Sequence, residues 1–511
     1  MTPPDCRPSF RFPFLPSGRA MRRFLLGFLP LLALSALPAW GRDSLTLGMV
    51  LEPPGLDPTA GAASAIREVV YANVFEGLTR IDGEGKIKPA LAQSWDVSAD
   101  GMTYTFHLHQ GVRFHDGTPF DCSIVQFSFA RAVAPESTNA QKEIFEPIAA
   151  TECPDPYTAV IHLKHPAADF LFGLGWGDAV MVAPATAATN NTHPVGTGPF
   201  RFVRWIKGDR VELTRNPAYW GAKPALAAVT FKFIADPTAA ANALLAGDVD
   251  AFSNFPAPEI LPQLRADSRF AVVIGTTEGK TLLALNEARP PFGDIRVRRA
   301  LAHAIDRRAL TETLMPGVPV TLIGSHYTPN DPDYIDLSNT YPYDPARARA
   351  LLAEAGVKPG TKLTLTLPPP PYARRGGEVI AAMLAEVGLE VTLVPVEWAE
   401  WLDRVFKRAD FDMTVIAHTE ARDLAIYARD HYYFNYQSPA FRDLYHRYVA
   451  AITPEAQRDL LIAMQKKLAE DEPNVFLYVL PKIGVWNANI EGLWVNDPIP
   501  ANDLTAVRWR E

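Results

Sequence analysis

Apolar and polar residues alternate strictly over residues 103–109, with Tyr104, Phe106 and Leu108 on one face before a turn at Gln110-Gly111. A period of two is the pattern of a half-buried strand. Further strand-like runs lie at 44–51, 363–367, 391–396 and 411–417, and 202–206 with 210–214 flank Lys207-Gly208-Asp209 as a hairpin. Helices alternate with these strands. Asp236-Pro237, Asp344-Pro345 and Thr453-Pro454 each set a side-chain acceptor before a proline, the arrangement that caps free N–H groups at a helix start. The first two of these helices should stop at Gly247 and Gly356. Residues 297–310 place Val297, Ala300, Leu301, Ala304 and Ile305 on one helical face. Residues 378–387 predict a further helix. Strand–helix–strand alternation beyond Pro290-Pro291 predicts a parallel or mixed sheet covered by helices, an α/β fold. Strand-like runs return over 475–509, as if the chain goes back to its first half.

The length of 511 residues allows two to four structural units. At 48% hydrophobic and 21% charged the chain is globular, and a net charge of -8 with no basic run argues against a nucleic-acid partner. Met21-Arg22-Arg23, the apolar stretch 24–37 and Ala39-Trp40-Gly41 predict a secretory signal cleaved after Gly41, with Met21 a second candidate start. That apolar stretch is short for a bilayer span, which takes about 20 residues. No cysteine stands at the cleavage point to carry a lipid. An exported, acidic, periplasmic protein is expected. An oxidising compartment permits a bond between Cys122 and Cys153, the alternative being two buried free thiols.

Enzyme motifs are missing from the sequence. Gly275-Thr276-Thr277-Glu278-Gly279-Lys280-Thr281 is one residue short of a phosphate loop and predicts a turn between strands. His107 and His109 share a strand face but have no third ligand near in sequence, so a solvated face explains them better than a metal. There is no G-x-S-x-G elbow and no H-E-x-x-H. Neither a cofactor nor a catalytic residue is expected.

Several blocks, taken in order, carry a resemblance. They are Pro89-Ala90-Leu91-Ala92-Gln93-Ser94-Trp95-Asp96, Asp100-Gly101-Met102-Thr103-Tyr104-Thr105-Phe106, Gly111-Val112-Arg113-Phe114-His115-Asp116-Gly117, Gly196-Thr197-Gly198-Pro199-Phe200, Asn216-Pro217-Ala218-Tyr219-Trp220 and Arg296-Val297-Arg298-Arg299-Ala300-Leu301 with Ala304-Ile305-Asp306. Together they resemble the family 5 extracellular solute-binding proteins of ABC importers, which bind dipeptides, oligopeptides or nickel. The resemblance implies a two-lobed periplasmic-binding-protein fold that closes by hinge motion on a ligand held between lobes. Lobe 1 would span 42–290, with a subdomain at about 74–215. Lobe 2 would span 291–480, and 481–511 would return to lobe 1. The implied function is capture of a peptide or amino-acid-derived solute by a monomer and its delivery to an inner-membrane permease. A metal chelate or opine-like ligand is the alternative within this class, and a periplasmic hydrolase the alternative outside it.

Site residues follow partly from the residues and partly from the resemblance. The apolar run 413–417 stops at His418-Thr419-Glu420-Ala421-Arg422-Asp423, and ligands gather at the carboxyl ends of strands in open α/β sheets. In peptide-binding relatives an acid in this loop pairs with the ligand's α-amino group, and the aligned position here is Ala421. His418, Glu420, Arg422 and Asp423 are therefore the expected readers of a zwitterion's charged ends. Dipeptide binders carry an arginine for the ligand carboxylate where Pro371-Tyr372 stands, and proline here counts against ordinary dipeptides. Arg374 and Arg375 read as the first turn of the next helix. Trp176, Trp401, Tyr427 and Tyr433 are the expected apolar wall, with Trp398 on the same helical face as Trp401.

Overall fold

Asp236, Asp344 and Thr453 cap the helices expected behind them, accepting from the N–H groups of Ala239, Arg347 and Ala456 at 2.7, 2.9 and 3.2 Å. The helices run over Pro237–Ala246, Pro345–Glu354 and Pro454–Asp471, and Gly247 ends the first in the left-handed region that glycine tolerates. These come from a computed structural model that describes residues 42–510; the expected secretory signal lies outside the described residues.

Three sequence expectations need correction. The helix expected at 297–310 is two, Ile295–Ala304 and Arg307–Leu314, because Asp306 turns its carboxylate onto the N–H groups of Arg308 and Ala309 and restarts the helix. The helix expected at 378–387 begins at Pro371, a proline at the first helical position, and ends at Glu386. Residues 275–281 do not turn. They lie inside the long strand Phe270–Leu285, which pairs antiparallel with Asn474–Asn487 and shifts register between Thr276 and Lys280. Gly275 is needed there: a Cβ would stand 1.9 Å from the carbonyl oxygen of Val495.

These two long strands are central to a ten-stranded mixed sheet. On one side of them lie Met413–His418, Thr361–Leu367 and Leu389–Pro395; on the other lie Ala251–Phe252, Ser44–Met49, Ala228–Phe233, Arg210–Arg215 and Phe200–Ile206. The ends of the pair belong to different cores. Leu283, Leu285, Val475 and Leu477 pack with the helices of the later part of the chain, whereas Ile483 and Val485 pack with Ala240, Leu244 and Phe252. A separate antiparallel sheet of four strands, ordered Ala92–Val97, Thr103–Leu108, Thr158–Leu163 and Ile148–Asp155, has its own core around Phe106, Phe114, Phe129 and Ile161. A disulfide joins Cys122, at the start of helix Cys122–Val133, to Cys153 on the last of these strands, with α-carbons 5.7 Å apart. The result is a two-lobed α/β fold with an extra subdomain. No helix among the described residues is long and apolar enough to cross a membrane.

Candidate ligand-binding crevice

The register shift in strand Phe270–Leu285 brings Glu278 and Lys280 to the place where the long strand pair passes between cores. Two further segments converge on them, residues 326–331 and the loop following strand Met413–His418. Together these line a crevice through Glu278, Lys280, His326, Tyr327, Asn330, Asp331, Ala421 and Arg422. Phe172, Gly85 and Pro498 also line it.

Lys280 is 1% exposed and its ammonium donates to the Glu420 carbonyl at 2.6 Å, with Asp423 Oδ1 at 3.3 Å and Glu278 Oε2 at 3.8 Å. Burial would raise the Asp423 carboxyl, but His326 and Lys280 outweigh it and hold that group well below the usual carboxylate range. His326, buried against the same acid, is pushed down to about 4 by desolvation in spite of Asp423. Glu278 moves the other way. Burial lifts it to about 7, although Lys280 and the hydrogen bonds to its Oε1 from Thr328 Oγ1 at 2.8 Å and Asn330 Nδ2 at 3.0 Å oppose the rise. Arg422 donates to Asp331 Oδ2 at 2.6 Å, approaches Asp169 Oδ1 at 3.3 Å and lies 4.3 Å over the ring of Phe172. The Tyr327 hydroxyl is orphaned: the residue is 2% exposed and that oxygen has no hydrogen-bond partner among the described residues. Buried polar atoms are nearly always paired, so this hydroxyl still has a hydrogen bond to offer.

The expected site residues fall into four groups. Arg422 lines the crevice together with Ala421. His418 and Asp423 lie behind it in a buried network, His418 Nε2 reaching Tyr433 Oη and His326 Nδ1 reaching Tyr427 Oη, each at 3.0 Å. Glu420 is exposed, and its carboxylate accepts from the N–H of Thr419 at 3.2 Å. The four aromatic residues are core residues here. Trp176 packs with Tyr71, Phe75 and Phe172, while Trp401, Tyr427 and Tyr433 share a cluster with Phe411, Phe434 and Phe441. Trp401 donates to Thr414 Oγ1 at 3.0 Å. Arg374 is engaged with Glu397 at 2.9 Å.

Sequence reasoning passed over Glu278, Lys280, His326, Tyr327, Asn330 and Asp331. One signal was available: Glu278 and Lys280 flank Gly279 in a strand that holds no other charged residue, inside the segment that resembles a shortened phosphate loop. His326, His418 and Asp423 bring ligand-capable atoms within 4.8 Å of one another. Lys280 already supplies the cation beside that acid, and Tyr427 and Tyr433 meet the outer ring nitrogens, so the trio reads as a neutralised hydrogen-bond network.

A polar, charge-lined crevice where two packed halves meet defines a solute-binding protein of the two-lobed kind. Residues 86–439 match the bacterial extracellular solute-binding proteins, family 5 Middle, and the chain belongs to that family. It is similar to the glutathione-binding protein GsiB of Pectobacterium atrosepticum, at 34% identity over 67% of this chain and 67% of that protein. It is also 32% identical to the di/tripeptide-binding protein 2 of Pseudomonas aeruginosa, over 75% of this chain and 78% of its relative. In fold it is similar to the periplasmic binding protein DppA of Helicobacter pylori in complex with the peptide STSA, with a TM-score of 0.75, 24% identity, and coverage of 92% of this chain and 99% of the other.

Proposed function

We propose that this chain captures a short peptide in the crevice beneath Glu278, Tyr327 and Arg422 and presents it, as a periplasmic monomer, to an inner-membrane ABC permease. The observation that carries this reading is the orphaned Tyr327 hydroxyl in a crevice built from backbone and charged groups, the mixture that holds a peptide's amides and termini. The similarity to binders named for glutathione and for di- and tripeptides supports the same ligand class. Residues 42–290 with 481–511 would act as one lobe and 291–480 as the other, with the strands Phe270–Leu285 and Asn474–Asn487 as the hinge. In that arrangement Arg422 reads the ligand from the second lobe, and Asp423 and His418 position the loop through Lys280 and Tyr433.

Calorimetric titration with dipeptides, tripeptides and glutathione tests the proposal. A tripeptide-sized ligand should bind one to one and raise the melting temperature, adding about 2.7 kcal/mol of stability at one hundred times Kd. Hydrolysis of the peptides, or the lack of any heat or stabilisation, would refute it.

A further inference from the structure

We propose that Glu278 is the crevice's receptor for a cationic ammonium group, so that the protein selects ligands with a free amine. The inference rests on the peptide reading above and assigns one end of the ligand. Counting charge pairs leads to it. Arg422 already has Asp331 and Asp169 as counter-ions. Lys280 is held by the Glu420 carbonyl and, nearer than Glu278, by Asp423. Glu278 has only a share of the Lys280 ammonium, at 3.8 Å, and among the described residues no other cation lies within 4.0 Å of it.

Its carboxylate is also fixed and half free. Oε1 takes the two hydrogen bonds from Thr328 and Asn330, which set the plane of the group. Oε2 accepts no hydrogen bond among the described residues and has only the shared Lys280 ammonium at 3.8 Å. A carboxylate held by one oxygen and open at the other suits a compact ammonium, which needs acceptors and tolerates many approach angles. Tyr327, whose hydroxyl has no partner among the described residues, lines the same crevice.

Binding of such a cation should be coupled to a proton. Lys280, Arg422, Asp331 and His326 line the crevice with Glu278; Asp423 faces it through Lys280, and Asp497 lies beyond Asn330 with Lys482 beside it. The Glu278 carboxyl stands at about 7, and an arriving ammonium expels its proton. Affinity should therefore rise severalfold between pH 6 and 7.5, because the fraction of ionised Glu278 grows faster than the ligand's own amine, with a pKa of about 8, loses its proton. His326, at about 4, does not titrate over that interval.

The test is calorimetry on wild type and Glu278→Gln with three probes: tri-alanine, its N-acetyl derivative and its C-terminal amide. Glutamine keeps the side-chain oxygen that Thr328 and Asn330 hold. Wild type should bind tri-alanine and the amide, lose the acetylated peptide, and show the pH dependence. At pH 7.5 Glu278→Gln should bind tri-alanine at least about 30-fold more weakly, and its affinity should not rise between pH 6 and 7.5. Acetylated peptide bound by wild type within threefold of tri-alanine overturns the assignment without recourse to any variant, as does unchanged affinity in Glu278→Gln. Failure of wild type to bind all three removes the peptide reading, and this assignment with it.

Discussion

Replacing Lys280 with methionine removes a buried cation from among three acceptors and keeps the side-chain volume. At 3.3 Å and an effective dielectric constant of 20, the attraction between the ammonium and Asp423 is about 5 kcal/mol. The desolvation cost of the lysine is recovered in the mutant. Removing one partner of a buried ion pair in proteins costs about 3–5 kcal/mol, and that is the loss expected here. Glu278, already lifted to about 7, can shed its charge by taking a proton, so the penalty falls mainly on Asp423. His326 lies 2.9 Å from that carboxylate and is kept neutral by burial, with Lys280 adding to the effect. Without Lys280, protonation of His326 becomes easier and partly restores a counter-ion. The mutant's deficit should accordingly be larger at pH 8, where His326 is neutral, than at pH 5. Guanidinium unfolding at both pH values, together with the double variant Lys280→Met/Asp423→Asn, provides the assay. The double variant should recover much of the single variant's loss. A deficit under about 1 kcal/mol, a deficit larger at pH 5, or strictly additive losses in the double variant would refute the reasoning.

Reducing the Cys122–Cys153 bond, or replacing both cysteines with serine, should destabilise the subdomain by about 3–4 kcal/mol from loop-closure entropy over a separation of 31 residues; an unchanged thermal midpoint after reduction would contradict this. Gly275→Ala drives a Cβ to 1.9 Å from the Val495 carbonyl and should cost about 1–3 kcal/mol in denaturant unfolding, whereas a cost under 0.5 kcal/mol (roughly the noise of such measurements) would mean the strand can yield. Arg422→Ala removes the contacts to Asp169 and Phe172 from the proposed second lobe, so small-angle scattering of the ligand-free variant should give a larger radius of gyration than wild type; equal radii would count against Arg422 as an interlobe contact.

Periodicity and caps made most of the framework legible. The Asp-Pro and Thr-Pro starts work because a cap depends on two or three adjacent residues, and the alternation at 103–109 appears as the strand Thr103–Leu108. What misled was local pattern without its tertiary partner. Residues 297–310 read as one helix, whereas the cap of Asp306 over Arg308 and Ala309 divides it in two. Glycines at 275 and 279 looked like a turn because nothing in the sequence reveals that Val495 and Leu480 press against them. The crevice was half legible. A strand ending in a charged loop pointed to His418, Glu420, Arg422 and Asp423, of which Arg422 lines the crevice, but Glu278, Tyr327 and Asp331 lie 91 to 144 residues before Arg422, and Glu278 comes near it through the antiparallel pairing of Phe270–Leu285 with Met413–His418. The aromatic residues chosen for the wall lie instead in the cores, the more common fate of large aromatic side chains.

Amide hydrogen exchange with and without a saturating tripeptide tests the location of the site most directly. Ligand held in this crevice should slow exchange in three separate stretches, 276–280, 326–331 and 419–423, together with the strands Phe270–Leu285 and Asn474–Asn487 that connect the two halves. Protection confined to other surfaces, with these three stretches unchanged while the peptide is demonstrably bound, would contradict the assignment of the site.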